Sequence, residues 1–113
     1  MAQIPFEIKD KVQKFLKILE MNNVKIDKAV IYGSYAKGNY NEWSDIDLAL
    51  VSSDFTGNSF EDRVNLIDYI YESGLDISPV TYRPEDFEDS LFVRDEIMKN
   101  GQVIMNEKSV QSQ

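Results

Sequence analysis

The fold is decided by the stretch Gly33–Leu50, which reads GSYAKGNYNEWSDIDLAL. It follows a short β-branched run, Lys28–Tyr32, which predicts a buried strand that ends in a Gly-Ser turn. After a polar loop, a second apolar run opens with two carboxylates, Asp45 and Asp47. Because strand side chains alternate between faces, both acids are predicted on one face and the apolar residues on the other. The turn suits a phosphate group, and the paired acids suit a hard metal ion.

The composition excludes several kinds of chemistry. The 113 residues contain no cysteine and no histidine. Disulfides, thiolate or imidazole zinc sites, and Cys-His or Ser-His mechanisms are therefore excluded. Catalysis would depend on carboxylates, hydroxyls, Lys and Arg, together with a metal ion. No run approaches the roughly 20 apolar residues of a membrane span. The first residues also lack a signal-peptide pattern, so we expect no membrane association and a cytoplasmic location.

The charge restricts the partners. The net charge is −8, with 20 acidic residues against 12 Lys and Arg. Affinity for a nucleic-acid backbone depends on Lys and Arg that neutralise phosphates, so direct nucleic-acid binding is not expected. A single nucleotide bound as its Mg²⁺ complex is compatible with this charge, and so is a basic protein partner. Alternatively, the negative charge serves only to keep the protein soluble.

The remaining elements predict one small domain. Apolar residues at helical spacing predict helices over residues 5–21, 60–73 and 90–99. In the second of these helices the apolar stripe is expected to lie in the core, and it consists of Phe60, Val64, Ile67 and Ile70. Further strands are predicted over residues 75–82 and 103–105, and Pro79 favours an edge position or a bulge. The predicted fold class is α/β (α+β), a small mixed β-sheet of three to four strands with helices packed on it. The domain covers residues 1–106, and residues 107–113 are predicted to be a disordered polar tail.

A shared ligand would constrain the strand directions. The Gly-Ser turn lies at the end of the first strand and the Asp pair at the start of the second. These ends meet only if the two strands run antiparallel. Asp76 joins them if the third strand runs parallel to the second. Three carboxylates would repel one another without a cation. Two Mg²⁺ ions about 4 Å apart, which would serve an in-line phosphoryl displacement, would remove this repulsion.

The turn supplies groups for phosphate binding. Gly33 allows the backbone to approach a phosphate closely because it has no Cβ atom. Ser34 offers a hydroxyl group and a backbone N–H, which would favour an anion if Ser34 opens a helix. Lys37 is a further candidate phosphate contact. A Gly-Ser turn alone is a common turn, and an Asp-x-Asp alone is usually a solvated strand end. The combination in this order is more specific.

Several other side chains allow two interpretations. Trp43 could stack on a base, but we expect it to cover the core, and Tyr35 and Tyr40 have the same two interpretations. Arg83 could reach a ligand, although we expect it to face solvent. The acids of residues 85–89 are expected to form a solvated helix start.

The stretch of residues 33–50 resembles the signature of the nucleotidyltransferase superfamily that includes DNA polymerase beta. More narrowly, the chain resembles the minimal nucleotidyltransferases, or MNT domains, from Lys28 to about Tyr82. This resemblance implies the polymerase beta-like nucleotidyltransferase fold. It also implies that Gly33 and Ser34 bind nucleotide phosphates, that Asp45 and Asp47 bind both metals, and that Asp76 is the third acid. The family commonly has Arg where this chain has Lys37, and Lys lacks the bidentate fork of Arg.

The resemblance also implies a reaction and a partner. Such enzymes transfer a nucleoside monophosphate from ATP or another NTP to a hydroxyl acceptor, with two Mg²⁺ ions. Minimal members are often antitoxins paired with a HEPN-type RNase toxin, and AMP is then added to a toxin tyrosine. A homo-oligomer or a hetero-oligomer is compatible with this role.

Two alternatives remain open from the sequence. The chain could be a non-catalytic antitoxin that silences its partner by occlusion. It could also modify a small molecule such as an aminoglycoside, and homodimerisation would then be needed to build an acceptor pocket.

Overall fold

The computed structural model describes residues 3–74 and 76–106. In chain order the elements are α1 (Phe6–Met21), β1 (Lys28–Tyr32), α2 (Ser34–Lys37), β2 (Ile46–Val51), α3 (Ser59–Ser73), β3 (Ile77–Tyr82), α4 (Pro84–Asp89), a π-helix (Val93–Met98) and β4 (Gln102–Asn106). The predicted tail of residues 107–113 lies outside the described residues, as does Leu75, the predicted first residue of the third strand. The predicted end of the domain at residue 106 therefore stays a prediction.

The four strands form one mixed sheet in the order β3-β2-β1-β4. Strand β1 runs antiparallel to both β2 and β4, whereas β2 and β3 run parallel. The predicted sheet and the predicted directions of its first three strands are confirmed. Strand β3 lies at an edge, where Pro79 lacks only a hydrogen bond that would point away from the sheet, so the edge prediction is also confirmed.

Helices cover both faces of the sheet. On one face, α1 and α3 pack on the inward side chains of β2, which are Ile46, Leu48 and Leu50. On the other face, Phe87 of α4 and Val93 and Ile97 of the π-helix pack on Val30 and Tyr32 of β1 and on Ala49 and Val51 of β2. We call these the α1/α3 face and the α4 face. None of the helices within the described ranges has the length and apolarity needed to cross a membrane.

Local signals account for the limits of α3. The side chain of Asn58 accepts a hydrogen bond from the backbone N–H of Glu61, which caps the first turn as predicted. The helix ends at Gly74, whose φ of 109° is left-handed and therefore favours glycine.

The prediction that the Phe60 stripe lies in the core is wrong for three of its four members. Phe60, Val64 and Ile67 are exposed, and the inward face of α3 instead carries Asp62, Leu66 and Ile70. The reason is a polar contact that the apolar pattern does not show. The buried carboxylate of Asp62 accepts hydrogen bonds from the backbone N–H of Thr56 at 3.0 and 3.2 Å. This contact joins the β2–α3 loop to the side of the helix on which Leu66 and Ile70 are buried, and the opposite side of the helix faces solvent.

Candidate active site

The antiparallel pairing of β1 and β2 brings the predicted turn and the predicted acids together. Tyr32, the last residue of β1, is the partner of Asp47 across the two strands. Gly33 follows Tyr32 directly, and Asp45 precedes the first residue of β2. Asp47 alternates with the residues of β2 that face α1 and α3, so it belongs to the α4 face.

Gly33 and Asp47 are in direct contact. A Cβ atom at Gly33 would lie 2.1 Å from Oδ2 of Asp47 and 2.9 Å from its Cγ. The backbone of Gly33 has a φ of 73° and a ψ of −148°, which is accessible almost only to glycine. Both the conformation and the space therefore require glycine here, and the exposed edge of the turn lies against a carboxylate.

The residues after Gly33 form one helical turn. The backbone N–H of Lys37 donates to the carbonyl of Gly33 at 3.0 Å, and that of Gly38 donates to the carbonyl of Ser34 at 2.9 Å. Ser34 opens α2 and is half-buried. The N–H groups of a first helical turn have no partner within the helix, so they are free to bind an anion. Lys37 is exposed, and its ammonium lies 3.7 Å from a carboxylate oxygen of Glu96 in the π-helix.

The electrostatics of the site favour a cation. Burial raises the pKa of Asp47, and the nearby charge of Asp45 raises it further. Burial also raises the pKa of Tyr32 to about 12, with Asp47 as the next cause. The phenol of Tyr32 therefore stays protonated at neutral pH. In both groups burial is the larger cause and a neighbouring acid is the next, and a bound cation would offset the negative charge.

Asp76 lies beside the pair, but its carboxylate has a different partner. Its carbonyl oxygen accepts a hydrogen bond from the backbone N–H of Ile46 at 2.8 Å, so the starts of β2 and β3 are adjacent. The carboxylate of Asp76 forms an ion pair with the ammonium of Lys11 in α1. Among residues 3–74 and 76–106, no group of three or more acidic side chains is arranged to hold a metal ion. The role of Asp76 as third metal ligand remains a prediction, and it would require the carboxylate to leave Lys11.

The residues present fit Mg²⁺ without a complete protein cage. Mg²⁺ is usually bound through one or two carboxylates, with water and substrate phosphate as the remaining ligands. Asp45 is exposed and Asp47 is half-buried. Asp45 is close enough to affect the pKa of Asp47. Two neighbouring oxygen donors of this kind, beside a turn that can approach a phosphate, suit a metal–nucleotide complex better than an isolated ion.

The prediction that Trp43 covers the core is wrong. The side chain of Trp43 is 84% exposed. The loop closes on itself instead, because the backbone N–H of Trp43 donates to the side chain of Asn41 at 2.8 Å and that of Asn41 donates to the hydroxyl of Ser44 at 3.0 Å. These bonds satisfy the loop backbone and leave the indole in solvent.

The other ambiguous side chains have definite places. Tyr35 is buried and stacks on the more exposed Tyr40, with ring centroids 4.5 Å apart. The guanidinium of Arg83 pairs with Asp86 at 2.8 Å. Arg83 follows Tyr82, the last residue of β3, and therefore lies at the opposite end of the parallel strands from Asp47.

Sequence reasoning missed three residues around the site. Tyr32 could have been found, because the residue before the Gly-Ser turn must face the start of an antiparallel second strand. Lys11 and Glu96 carried no such signal, since each reaches its partner, Asp76 or Lys37, from a distant helix.

Comparisons with known proteins identify the family of the chain. Residues 13–110 match the family profile described as polymerase beta, nucleotidyltransferase. A provisionally named protein adenylyltransferase from Methanocaldococcus jannaschii is 34% identical over 76 residues, which span 66% of this chain and 75% of that protein. The chain therefore belongs to the polymerase beta nucleotidyltransferase family and is a nucleotidyltransferase.

Two solved structures show the same fold at low sequence identity. A provisionally assigned nucleotidyltransferase from Sulfolobus solfataricus is 14% identical with a TM-score of 0.63, and the match covers 90% of this chain and 83% of the other. A complex of tri-AMPylated Shewanella oneidensis HEPN toxin with MNT antitoxin contains a chain that is 19% identical with a TM-score of 0.58, and the match covers 93% and 77%. The predicted polymerase beta-like fold is confirmed.

Proposed function

We propose that this nucleotidyltransferase transfers AMP from ATP to a tyrosine hydroxyl of a HEPN-type toxin and thereby acts as its antitoxin. The hydroxyl oxygen attacks the α-phosphorus of ATP, and the bond from this phosphorus to the oxygen that bridges to the β-phosphate breaks. Pyrophosphate leaves, and the proton of the hydroxyl passes to solvent. The product is a phosphodiester between AMP and the tyrosine.

One observation carries this proposal: the glycine turn after β1 lies in contact with a carboxylate of β2. Glycine at position 33 allows the backbone to lie against the carboxylate of Asp47, because a Cβ atom there would overlap it, and a phosphate bound at the turn would therefore lie beside this acid. Since Asp45 is close enough to affect the pKa of Asp47, a phosphate and the metal that accompanies it can meet at this point. A turn that served only the fold would not need to lie against a carboxylate.

The remaining predicted residues have roles within this arrangement. Asp45 and Asp47 would hold Mg²⁺, which when bound neutralises the charge of the triphosphate and the leaving group. Ser34 would donate to a phosphate oxygen, and Lys37 would contact another after leaving Glu96. Asp76 would complete the set for a second ion after leaving Lys11.

Similarity supports the choice of donor and acceptor. The archaeal relative carries the provisional name protein adenylyltransferase, which names the transfer of AMP to a protein. The Shewanella complex pairs an MNT antitoxin with a HEPN toxin that carries AMP groups. The fold that this chain shares with that complex makes the same pairing the best candidate here.

The test uses the full chain, a purified HEPN-type toxin and ATP labelled on the α-phosphate. We expect Mg²⁺-dependent label on the toxin, at a tyrosine identified by mass spectrometry. The double variant Asp45→Asn/Asp47→Asn should transfer no label. Glu88→Gln/Asp89→Asn is the matched control, because it removes the same charge from α4 and should retain transfer.

A growth assay separates catalysis from occlusion. If the Asp45→Asn/Asp47→Asn variant still protects cells from the toxin as well as the wild type does, silencing occurs by occlusion and the catalytic proposal fails. Equal labelling by this variant and the wild type would instead show that the assigned carboxylates are not the catalytic ones.

A further inference from the structure

The solvent-facing side of α3 carries a continuous apolar row. Its members are Phe60, Val64, Ile67 and Tyr71, which are 78%, 46%, 41% and 65% exposed. They follow one another at spacings of four, three and four residues and therefore lie on one side of the helix. We call this row the outer α3 face. Single exposed apolar residues are ordinary, but four aligned over twelve positions form a seam of the kind that packs against another helix.

A row of acids runs along one edge of this face. Glu61, Asp68 and Glu72 lie one position after Phe60, Ile67 and Tyr71. In the part of the chain that the structure describes, no Lys or Arg forms an ion pair with any of these three acids.

Two of these acids are unfavourable for the isolated helix. Asp68 and Glu72 are four residues apart, a spacing at which like charges destabilise a helix. Glu72 also lies in the last turn of α3, which has no basic residue, and a negative charge there opposes the helix dipole. A cation supplied from outside would relieve both effects.

We propose that the outer α3 face is a docking surface for an amphipathic α-helix of a partner protein, and that the apolar stripe of this helix is bordered by Lys or Arg. The apolar rows would pack together, while the basic border would pair with Glu61, Asp68 and Glu72. Charge complementarity is what selects this occupant. The inference rests on the exposed surface alone and does not depend on the proposed function.

A second copy of the chain is a poor occupant of the same surface. In an antiparallel pair of copies related by a two-fold axis, the acidic row of one α3 would lie beside the acidic row of the other. Each copy also carries a net charge of −8, which opposes self-association. An anionic membrane surface is disfavoured for the same electrostatic reason.

The docking surface and the candidate active site lie on different faces of the sheet. Leu66 and Ile70 of α3 pack on the α1/α3 face, whereas Asp47 and Tyr32 belong to the α4 face. A helix bound to the outer α3 face therefore leaves the contact between Gly33 and Asp47 uncovered.

Two designed helical peptides test the proposal. Both contain about three heptads with Leu at the seam positions. One has Lys along the border that would meet the acidic row and the other has Glu at the same positions, and each carries a fluorophore for anisotropy. We expect the Lys-bordered peptide to bind the wild-type chain at least tenfold more tightly than the Glu-bordered peptide, with an affinity that falls as salt rises.

The chain offers closely matched variants. Phe60→Gln/Tyr71→Gln should weaken binding of the Lys-bordered peptide at least tenfold. The control variant Phe6→Gln/Met21→Gln should bind the Lys-bordered peptide as tightly as the wild type does, although Phe6 and Met21 of α1 are exposed to a similar extent, 76% and 72%. Asp68→Asn/Glu72→Gln should reduce both the affinity and its salt dependence. Circular dichroism melting of each variant confirms that the fold is intact.

Several outcomes would overturn the proposal. Equal binding of both peptides, or equal loss with the α1 control, would show non-specific apolar contact. A wild-type dimer that dissociates in the Phe60→Gln/Tyr71→Gln variant would assign the face to a second copy. Co-sedimentation with phosphatidylserine vesicles that depends on Phe60 and Tyr71 would assign it to a membrane.

Discussion

Gly33 follows β1 and Asp47 lies in β2, yet a side chain added at Gly33 would displace the carboxylate of Asp47. The turn approaches the carboxylate so closely that a single Cβ atom would overlap Oδ2 of Asp47. Asp47 is also partly buried, and this burial is the main cause of its raised pKa. At the scale of single residues, the site is therefore a balance between close approach and unfavourable burial of negative charge.

Gly33→Ala tests the close approach. We expect a stability loss of about 1–3 kcal/mol from the positive φ. Transfer should fall on the order of 100-fold because the carboxylate of Asp47 must shift. Thermal melting and initial-rate kinetics measure the two effects.

Gly74→Ala is the matched control for this variant. Gly74 has a φ of 109°, but a Cβ atom there would have no neighbour within 4 Å. The control should lose stability by a similar amount and keep its activity when folded. A full loss of activity in the control would show that backbone strain, not displacement of Asp47, inactivates the Gly33 variant.

Asp47→Asn should abolish transfer and yet stabilise the metal-free protein at pH 7. The folded-state pKa of Asp47 lies above its ordinary value of 3.8, so the folded state binds the proton more tightly than the unfolded state. The ionised carboxylate therefore reduces stability at neutral pH, and this reduction disappears as the pH falls through the raised pKa to 3.8.

Denaturant unfolding in EDTA between pH 3.5 and 8 measures the effect. The advantage of Asp47→Asn over the wild type should shrink as the pH falls. Glu42→Gln, which neutralises an exposed loop acid, should change neither stability nor activity. A lower stability of Asp47→Asn at pH 7 would contradict the argument.

At the scale of elements, two helices hold charged groups of the site away from their proposed ligands. Helix α1 contributes Lys11 to the carboxylate of Asp76, and the π-helix contributes Glu96 to the ammonium of Lys37. Both pairs are partly exposed to solvent, so each is weak and can be replaced by a stronger ligand. The arrival of a metal–nucleotide complex would supply a cation for Asp76 and an anion for Lys37.

Lys11→Met tests this competition. If Asp76 binds the second metal, removal of the ammonium should lower the Mn²⁺ concentration for half-maximal activity by up to about fivefold, which corresponds to about 1 kcal/mol for an exposed pair. Lys14→Met is the control, because Lys14 lies on the same helix and pairs with Asp10 at 3.2 Å. A higher Mn²⁺ requirement in Lys11→Met, or an equal decrease in Lys14→Met, would contradict this competition.

At the scale of the whole molecule, the sheet separates the candidate active site from the proposed docking surface. The candidate active site lies on the α4 face at the end of β1, and the outer α3 face lies on the other side. Residues that share no contacts affect free energy independently, so the two sites should be separable by mutation.

Paired binding measurements test this separation. Phe60→Gln/Tyr71→Gln should bind a non-hydrolysable ATP analogue with Mn²⁺ as tightly as the wild type does. Asp45→Asn/Asp47→Asn should bind the Lys-bordered peptide normally. A quadruple variant combines all four substitutions. If its loss of binding free energy for the ATP analogue or for the peptide differs by more than about 0.5 kcal/mol from that of the corresponding double variant, the two faces are coupled.

Much of the sheet could be predicted because its signals are local. Alternation in Ile46–Val51 separates the two faces of β2, and a shared ligand requires β1 and β2 to run antiparallel. The faces of α3 could not be assigned in this way, because that helix has apolar residues on both its inner and outer sides. The buried side is the one that carries Asp62, whose carboxylate accepts a hydrogen bond from the backbone N–H of Thr56 in the preceding loop.

The sequence by itself determined the glycine turn, the paired acids, the alternating strands and hence the class of fold. Each of these depends on backbone preference or side-chain periodicity within a few neighbouring residues. Only the tertiary structure decided that Asp76 meets Lys11, that Lys37 meets Glu96 and that the Phe60 row faces solvent. Such contacts join segments far apart in the chain, and their geometry exists only after the helices have packed on the sheet.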